Sequence, residues 1–136
     1  SNVMWHLLAL DPNTPITEET VRQAYSSSSD GTIIGGSYHG GTYRHIPTKW
    51  HNGLPTALEY TNSGQGADIT CLSSNGAIAG GFTAPNNTPF SVIWINGEMI
   101  PVNYNGIPFH GTVNGISSNG QYAAAYCTDL PAIYDI

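Results

Sequence analysis

The stretch LSSNGAIAGG, Leu72 to Gly81, comes back 44 residues later as ISSNGQYAAA, Ile116 to Ala125. It is already foreshadowed 45 residues earlier as SSSDGTIIGG, Ser27 to Gly36. Each copy reads Ser-Ser-(Asn/Asp)-Gly followed by a short apolar run. Asn-Gly and Asp-Gly supply the positive φ that a tight hairpin turn requires, so each copy predicts a turn between two strands. The turn glycines are Gly31, Gly76 and Gly120, and Trp5, Trp50 and Trp94 each precede one of them by 26 residues. From turn glycine to the next tryptophan the spacing is 19, then 18. Agreement at two kinds of landmark makes this a threefold repeat of 44–45 residues, with units of approximately 5–49, 50–93 and 94–136 in one domain.

Within a unit the pattern is β. ADITCLS, the turn SNG and AIAGGFT form one expected hairpin, and FSVIW, the turn ING and EMIPVNY form another. Short strands punctuated by turns at this rate argue for an all-β chain with four strands per unit. Only Thr14 to Tyr25, TPITEETVRQAY, has helical character, with Thr17 as a candidate N-cap, but the repeat register predicts loop and strand there. By the same register Tyr134 falls with Phe90, and Ile136 with Val92 and Val3, so the last residues lead towards the first. Three arrangements satisfy that phase: closure of three units on themselves, completion of a sheet by a neighbouring chain, or membership of a longer array.

Composition excludes several functions. The 136 residues carry three basic and nine acidic side chains, for a net charge of −6. A nucleic-acid partner or an anionic membrane surface needs a cationic patch, so neither is expected. No apolar run approaches the ~20 residues of a membrane helix. The opening SNVMWHLLAL has neither a basic start nor a small-residue cleavage site, so no secretory leader is expected in it. A neutral polar surface rich in Ser, Thr, Asn, Gly and Tyr suits an extracellular or surface-exposed β protein. Cys71 and Cys127 allow either one disulfide or two buried thiols. Asn86-Asn87-Thr88 fits a glycosylation sequon.

The unit W-(H/I)-N-G followed by (A/V)-x-x-(I/L)-S-S-(N/D)-G-x-I-x-G-G resembles the extracellular HAF-type repeat, in which a Trp-x-Asn-Gly turn precedes an Ile-(Asn/Ser)-x-x-Gly-x-Val-Val-Gly stretch. Trp94, Asn96, Gly97, Met99, Ile116, Ser117 and Gly120 sit on that pattern, as do Gly76, Ile78 and Gly80 one unit earlier. The third copy departs from it with QYAAAY, and the first with WHLLAL after Trp5. The doublets Gly35-Gly36 and Gly80-Gly81 also look kelch-like. Both resemblances imply β-propeller blades of four strands. Propellers typically have 4–8 blades, so three units imply partnership between chains or truncation. The alternative is a closed pseudo-threefold β-trefoil or β-prism, which the length suits.

No chemistry converges in the sequence. His39, His45 and His51 are evenly spaced, but glycines and Pro47 interrupt any single strand face, so no metal site is expected. The repeated serines follow the structural period and are expected to bond turn backbone. No nucleophile elbow, phosphate loop or dinucleotide fingerprint is present, and the acids are scattered, so no catalytic residue and no cofactor is assigned. Trp50 and Trp94, with Trp5, are expected in the core, with a stacking platform for a sugar ring as the functional alternative. The aromatics that ignore the period, Tyr38, Tyr43, Tyr60, Tyr104 and Phe109, with His110, are the candidate ligand site, because flat faces beside polar groups suit neutral sugars. The expectation is a non-enzymatic extracellular recognition module, lectin- or adhesin-like, taking a glycan or cell-surface ligand and assembling as a homo-oligomer. The alternative is a structural, self-assembling component of a virion, fibre or appendage whose strands complete neighbouring subunits.

Overall fold

The computed structural model describes residues 21–39, 44–127 and 130–136. Among them the fold is all-β with no helix, and every sheet is antiparallel. The first sheet has the order β1 (Val21–Ser27), β2 (Ile33–His39), β3 (Ile46–His51), β4 (Leu54–Ala57). The second repeats that order with β5 (Gly66–Leu72), β6 (Ile78–Ala84), β7 (Phe90–Ile95) and β8 (Glu98–Pro101). A hairpin of β9 (Asn103–Tyr104) and β10 (Ile107–Pro108) follows. The third sheet has three described strands, β11 (Thr112–Ile116), β12 (Tyr122–Cys127) and β13 (Leu130–Asp135). Residues 21–25 of the stretch with helical character lie in β1; residues 14–20 and Trp5 lie outside the described residues.

The Ser-Ser-(Asn/Asp)-Gly motif makes the same turn three times. Gly31, Gly76 and Gly120 have φ of 77°, 73° and 72°, the left-handed region that glycine enters without a Cβ clash. Ser28, Ser73 and Ser117 each accept an N–H on the hydroxyl, from Ile33, Ile78 and Tyr122, all at 3.0 Å. The same hydroxyls donate to Asp30, Asn75 and Asn119. The serines therefore tie turn backbone, as their periodicity predicts. A second shared feature is a bulge in the first strand of each sheet, at Ala24/Ser26, Ile69/Cys71 and Val113/Gly115. It adds one unpaired residue and bends the strand.

The sheets stack in chain order, and mainly through these first strands. β5 lies against β1, β2 and β3, and β11 lies against β5, β6 and β7. Glycine makes the close approach possible. A Cβ on Gly35 would stand 2.7 Å from Ile69 Cγ2, and one on Gly80 would stand 2.6 Å from Val113 Cγ1. Each branched side chain thus fills the space that a glycine of the preceding sheet leaves. The first core layer gathers Leu58, Ala67, Ile69, Leu72, Val92 and Trp94. The second gathers Cys71, Ile93, Val102, Val113, Ala123 and Ala125. Cys71 is a buried free thiol in that layer, which settles its side of the cysteine question; the Cys127 side chain lies outside the description.

Trp50 and Trp94 are 0% and 1% exposed, opposite Ile34 and Ala79. The residue opposite the corresponding Ala123 is Tyr134. Tyr134 therefore holds the tryptophan position, not the Phe90 position that the sequence spacing predicts. Cys127 pairs with Leu130 across two residues, where β6 and β7 are joined by five, so the third unit arrives early at its third strand. The three-residue offset from the turn confirms this register, because Ile34, Ala79 and Ala123 each follow their turn glycine by three. The sheets are also offset from units cut at the tryptophans: Trp50 closes the first sheet's third strand and Trp94 the second's. No closed barrel or propeller ring forms among the described residues.

Candidate functional site

The strand directions place the turns at one end of the stack and the β2–β3 and β6–β7 connections at the other. His39, His45, Phe90 and His110 lie at that second end. His45 is the seam between the first two sheets. Its N–H donates to Gln65 O at 2.8 Å, its carbonyl accepts Ala67 N–H at 3.1 Å, and it makes an isolated bridge to Gly66. Gly66, with φ of 77°, permits this approach, since a Cβ there would stand 2.0 Å from His45 O.

The imidazole so placed faces Asp68 on β5. Its Nδ1 lies 3.0 and 2.9 Å from the two carboxylate oxygens. A carboxylate accepts only, so Nδ1 carries the proton. Ser37 Oγ also approaches Nδ1, at 3.5 Å. A Ser-His-Asp relay needs serine and carboxylate on opposite ring nitrogens, and here both address the same one, with Ser37 fully buried. The trio is thus a joint between sheets. His39 stacks on the His45 ring at 4.7 Å and 17°. Tyr25, 52% exposed, donates its hydroxyl to Gln23 Oε1 at 2.9 Å. Partial burial raises its phenol above the ordinary range, and the Asp68 charge adds to that. Arg44 donates to Asn62 at 2.9 Å beside them.

The next seam, between the second and third sheets, repeats this position with different chemistry. Phe90 and His110 form a bridge and their rings lie 4.5 Å apart at 35°. Ser91 N–H donates to Phe109 O, and Phe109 N–H to Val102 O, so the β9–β10 hairpin is pinned beside them, with Tyr104 66% exposed. Of the sequence candidates, Tyr104, Phe109 and His110 therefore share this end. Phe109 is half-buried against the second core layer, so His110 and Tyr104 present the accessible faces. Tyr38 is buried at 6% exposure, and Tyr60, partly buried, packs on the first core layer. Tyr43 lies outside the described residues. His51 sits at the opposite, turn end of β3, away from His39 and His45. Among the described residues no group of three His, Cys, Asp or Glu side chains is close enough to hold a metal.

Sequence reasoning missed Asp68, Tyr25, Gln23 and Phe90. His45 and Asp68 stand 23 residues apart, about half a repeat, a separation that matches no local spacing rule. The available clue was that a lone acid interrupts the apolar run ADITC.

No protein-family model, curated protein or solved structure matches the chain.

Proposed function

We propose that this chain is a non-enzymatic recognition module of an extracellular surface, that its sheets are propeller-type blades of the HAF kind, and that the seam end binds a neutral glycan. The observation that carries the ligand reading is the alignment at that end of two ring pairs, His39–His45 and Phe90–His110, with exposed Tyr104 and Tyr25 beside them. Sugars offer apolar C–H faces for stacking and hydroxyls for hydrogen bonds. Rings next to Gln23 and Asn62 supply both kinds of contact. The blade reading is supported by the common strand order of the first two sheets, the repeated bulge and turn, and the stacking through first strands.

A glycan array followed by calorimetric titration of the best ligand tests the proposal. Tyr104→Ala and His110→Ala are each expected to weaken binding about tenfold, the size of a lost stacking contact of roughly 1–1.5 kcal/mol. Silence across the array, or affinity unchanged in both variants, would overturn the assignment of this end.

A further inference from the structure

Three features recur at both inter-sheet contacts. A branched residue of the arriving first strand, Ile69 or Val113, occupies the space above a glycine, Gly35 or Gly80. The arriving turn glycine, Gly76 or Gly120, sits on an isoleucine of the earlier sheet, with Cβ positions 2.7 Å from Ile33 Cδ1 and 3.1 Å from Ile78 Cδ1. The residue paired with the groove glycine, Lys49 or Ile93, lies beneath the contact. Ile93 is 1% exposed there, and Lys49 reaches across to Gly76 O at 2.6 Å.

The third sheet carries the same receiving positions with nothing among the described residues seated on them. Counted from the turn glycine, Tyr122 holds the place of Ile33 and Ile78, and Ala124 that of Gly35 and Gly80; Ile133 pairs with Ala124 as Lys49 and Ile93 pair with those glycines. Tyr122 is 49% and Ile133 80% exposed, and Ala124 is exposed. These three, with Gly115 and Ile116, line an open hollow of about 310 Å³. In the first sheet two of the matching donor positions, Ala24 and Gly31, are exposed. Ala24 stands where Ile69 and Val113 stand and is exposed, and the space around a Cβ on Gly31 is empty to 4 Å. Trp50, on the same face, is already buried, so the accessible part of that face includes Ala24 of β1.

The sizes at the two free ends complement each other. Where the internal grooves have glycine under a branched residue, the third groove has gained a methyl at Ala124. Its counterpart in the first strand has lost its γ-carbons at Ala24. The broader Tyr122 would meet Gly31, the one turn glycine with no side chain packed against its position. We infer that the outer face of the third sheet docks β1 of a second copy of this chain, reproducing the internal contact between molecules with an Ala-on-Ala step. The contact is head-to-tail, so it closes as a ring or propagates as a fibre according to its rotation. It is independent of the ligand reading.

Light scattering on a sizing column over a range of concentrations tests this with the whole chain. Wild type is expected to exceed the 14.5 kDa of one chain in a concentration-dependent way. Ala124→Ile and Ala24→Ile should each raise the concentration needed for association about tenfold or more, because each overfills the step. The double variant Ala24→Ile/Ala124→Gly restores the internal pairing of a branched residue on glycine, and its association should return to near the wild-type range. Both alanines are exposed in the single chain, so the single variants should keep the monomer's circular dichroism melt, and Ala124→Gly should lower it only slightly. A monomer at every concentration would overturn the inference. So would an Ala24→Ile variant that associates like wild type, or a double variant that stays dissociated.

Discussion

Trp94 decides whether the repeated tryptophans are core or platform, and Trp94→Ala measures it. The side chain is 1% exposed, packed in the layer between the first and second sheets, and its Nε1–H donates to Glu59 O at 2.8 Å. Truncating a buried aromatic residue costs about 3–5 kcal/mol through lost transfer energy and the cavity left behind. The Glu59 carbonyl loses its donor as well, but Glu59 is itself exposed, so water can replace that donor and the extra cost is small. The expected loss is about 4 kcal/mol, a quarter or more of the roughly 7–15 kcal/mol usual for a chain of this length. With a urea m-value of about 1.5 kcal/mol per M, the midpoint should fall by about 2.5 M at unchanged m. Trp94→Phe keeps most of the bulk and loses the N–H, and should cost about 1–2 kcal/mol. A midpoint shift under about 0.7 M for Trp94→Ala, which corresponds to about 1 kcal/mol, would refute the core assignment.

The three turn glycines form an internal series. All share nearly the same φ, but a Cβ meets Ile33 at 2.7 Å at Gly76, Ile78 at 3.1 Å at Gly120, and nothing at Gly31. Alanine at Gly31 should cost about 1 kcal/mol of backbone strain alone, with Gly120→Ala above it and Gly76→Ala higher still, by thermal melts in dilute protein. Equal costs at all three would mean that the turns do not pack as described. Asp30 accepts from the Thr32 N–H first and from the Thr32 and Ser28 hydroxyls next, which holds its carboxyl below the ordinary value. A depressed folded pKa stabilises above the unfolded value of about 3.9, and that contribution disappears as pH falls through the folded value. Asp30→Asn, the residue type used at Asn75 and Asn119, should keep the turn at pH 7 and flatten the melting temperature between pH 5 and 3. Burial pushes the Cys71 thiol up to about 11, so in a Cys127→Ser background a thiol reagent at pH 8 should react only as fast as the chain unfolds. Rapid labelling of the native protein would contradict that burial.

The elements written locally were the ones legible in the sequence. A Ser-Ser-Asn-Gly turn is specified by four adjacent residues, so its position, its positive φ and the strands on either side followed from spacing alone. Register depends on loop length, and loop length varies between copies; a shorter β12–β13 connection placed Tyr134 where spacing put a Phe90 equivalent. Bulges leave no mark in composition, because the inserted residues, Tyr25, Thr70 and Asn114, have no chemistry in common. The ligand candidates were chosen for breaking the repeat. That criterion selected exposed Tyr104 and His110, but also Tyr38 and Tyr60, which break the period for packing reasons. The His45–Asp68 joint was out of reach because it exists only once two sheets are stacked. Lys49 shows the converse: a charged residue at a core-facing register, accommodated by the Gly76 and Ala77 carbonyls of the next turn, while burial depresses its ammonium.

Serial stacking gives the three sheets unequal lifetimes. Among the described residues, the second sheet is clamped on both faces, whereas the third is held by one neighbour and leaves Ile133 and Tyr122 in water. In such a nearest-neighbour stack, opening starts where one interface, not two, must be broken. Amide exchange should therefore be slowest for β5, β6 and β7. The amides of β12 and β13 should exchange through a smaller opening that leaves the rest of the chain folded. The stack would come apart by peeling from its end, and anything seated on the third sheet would slow that peeling first.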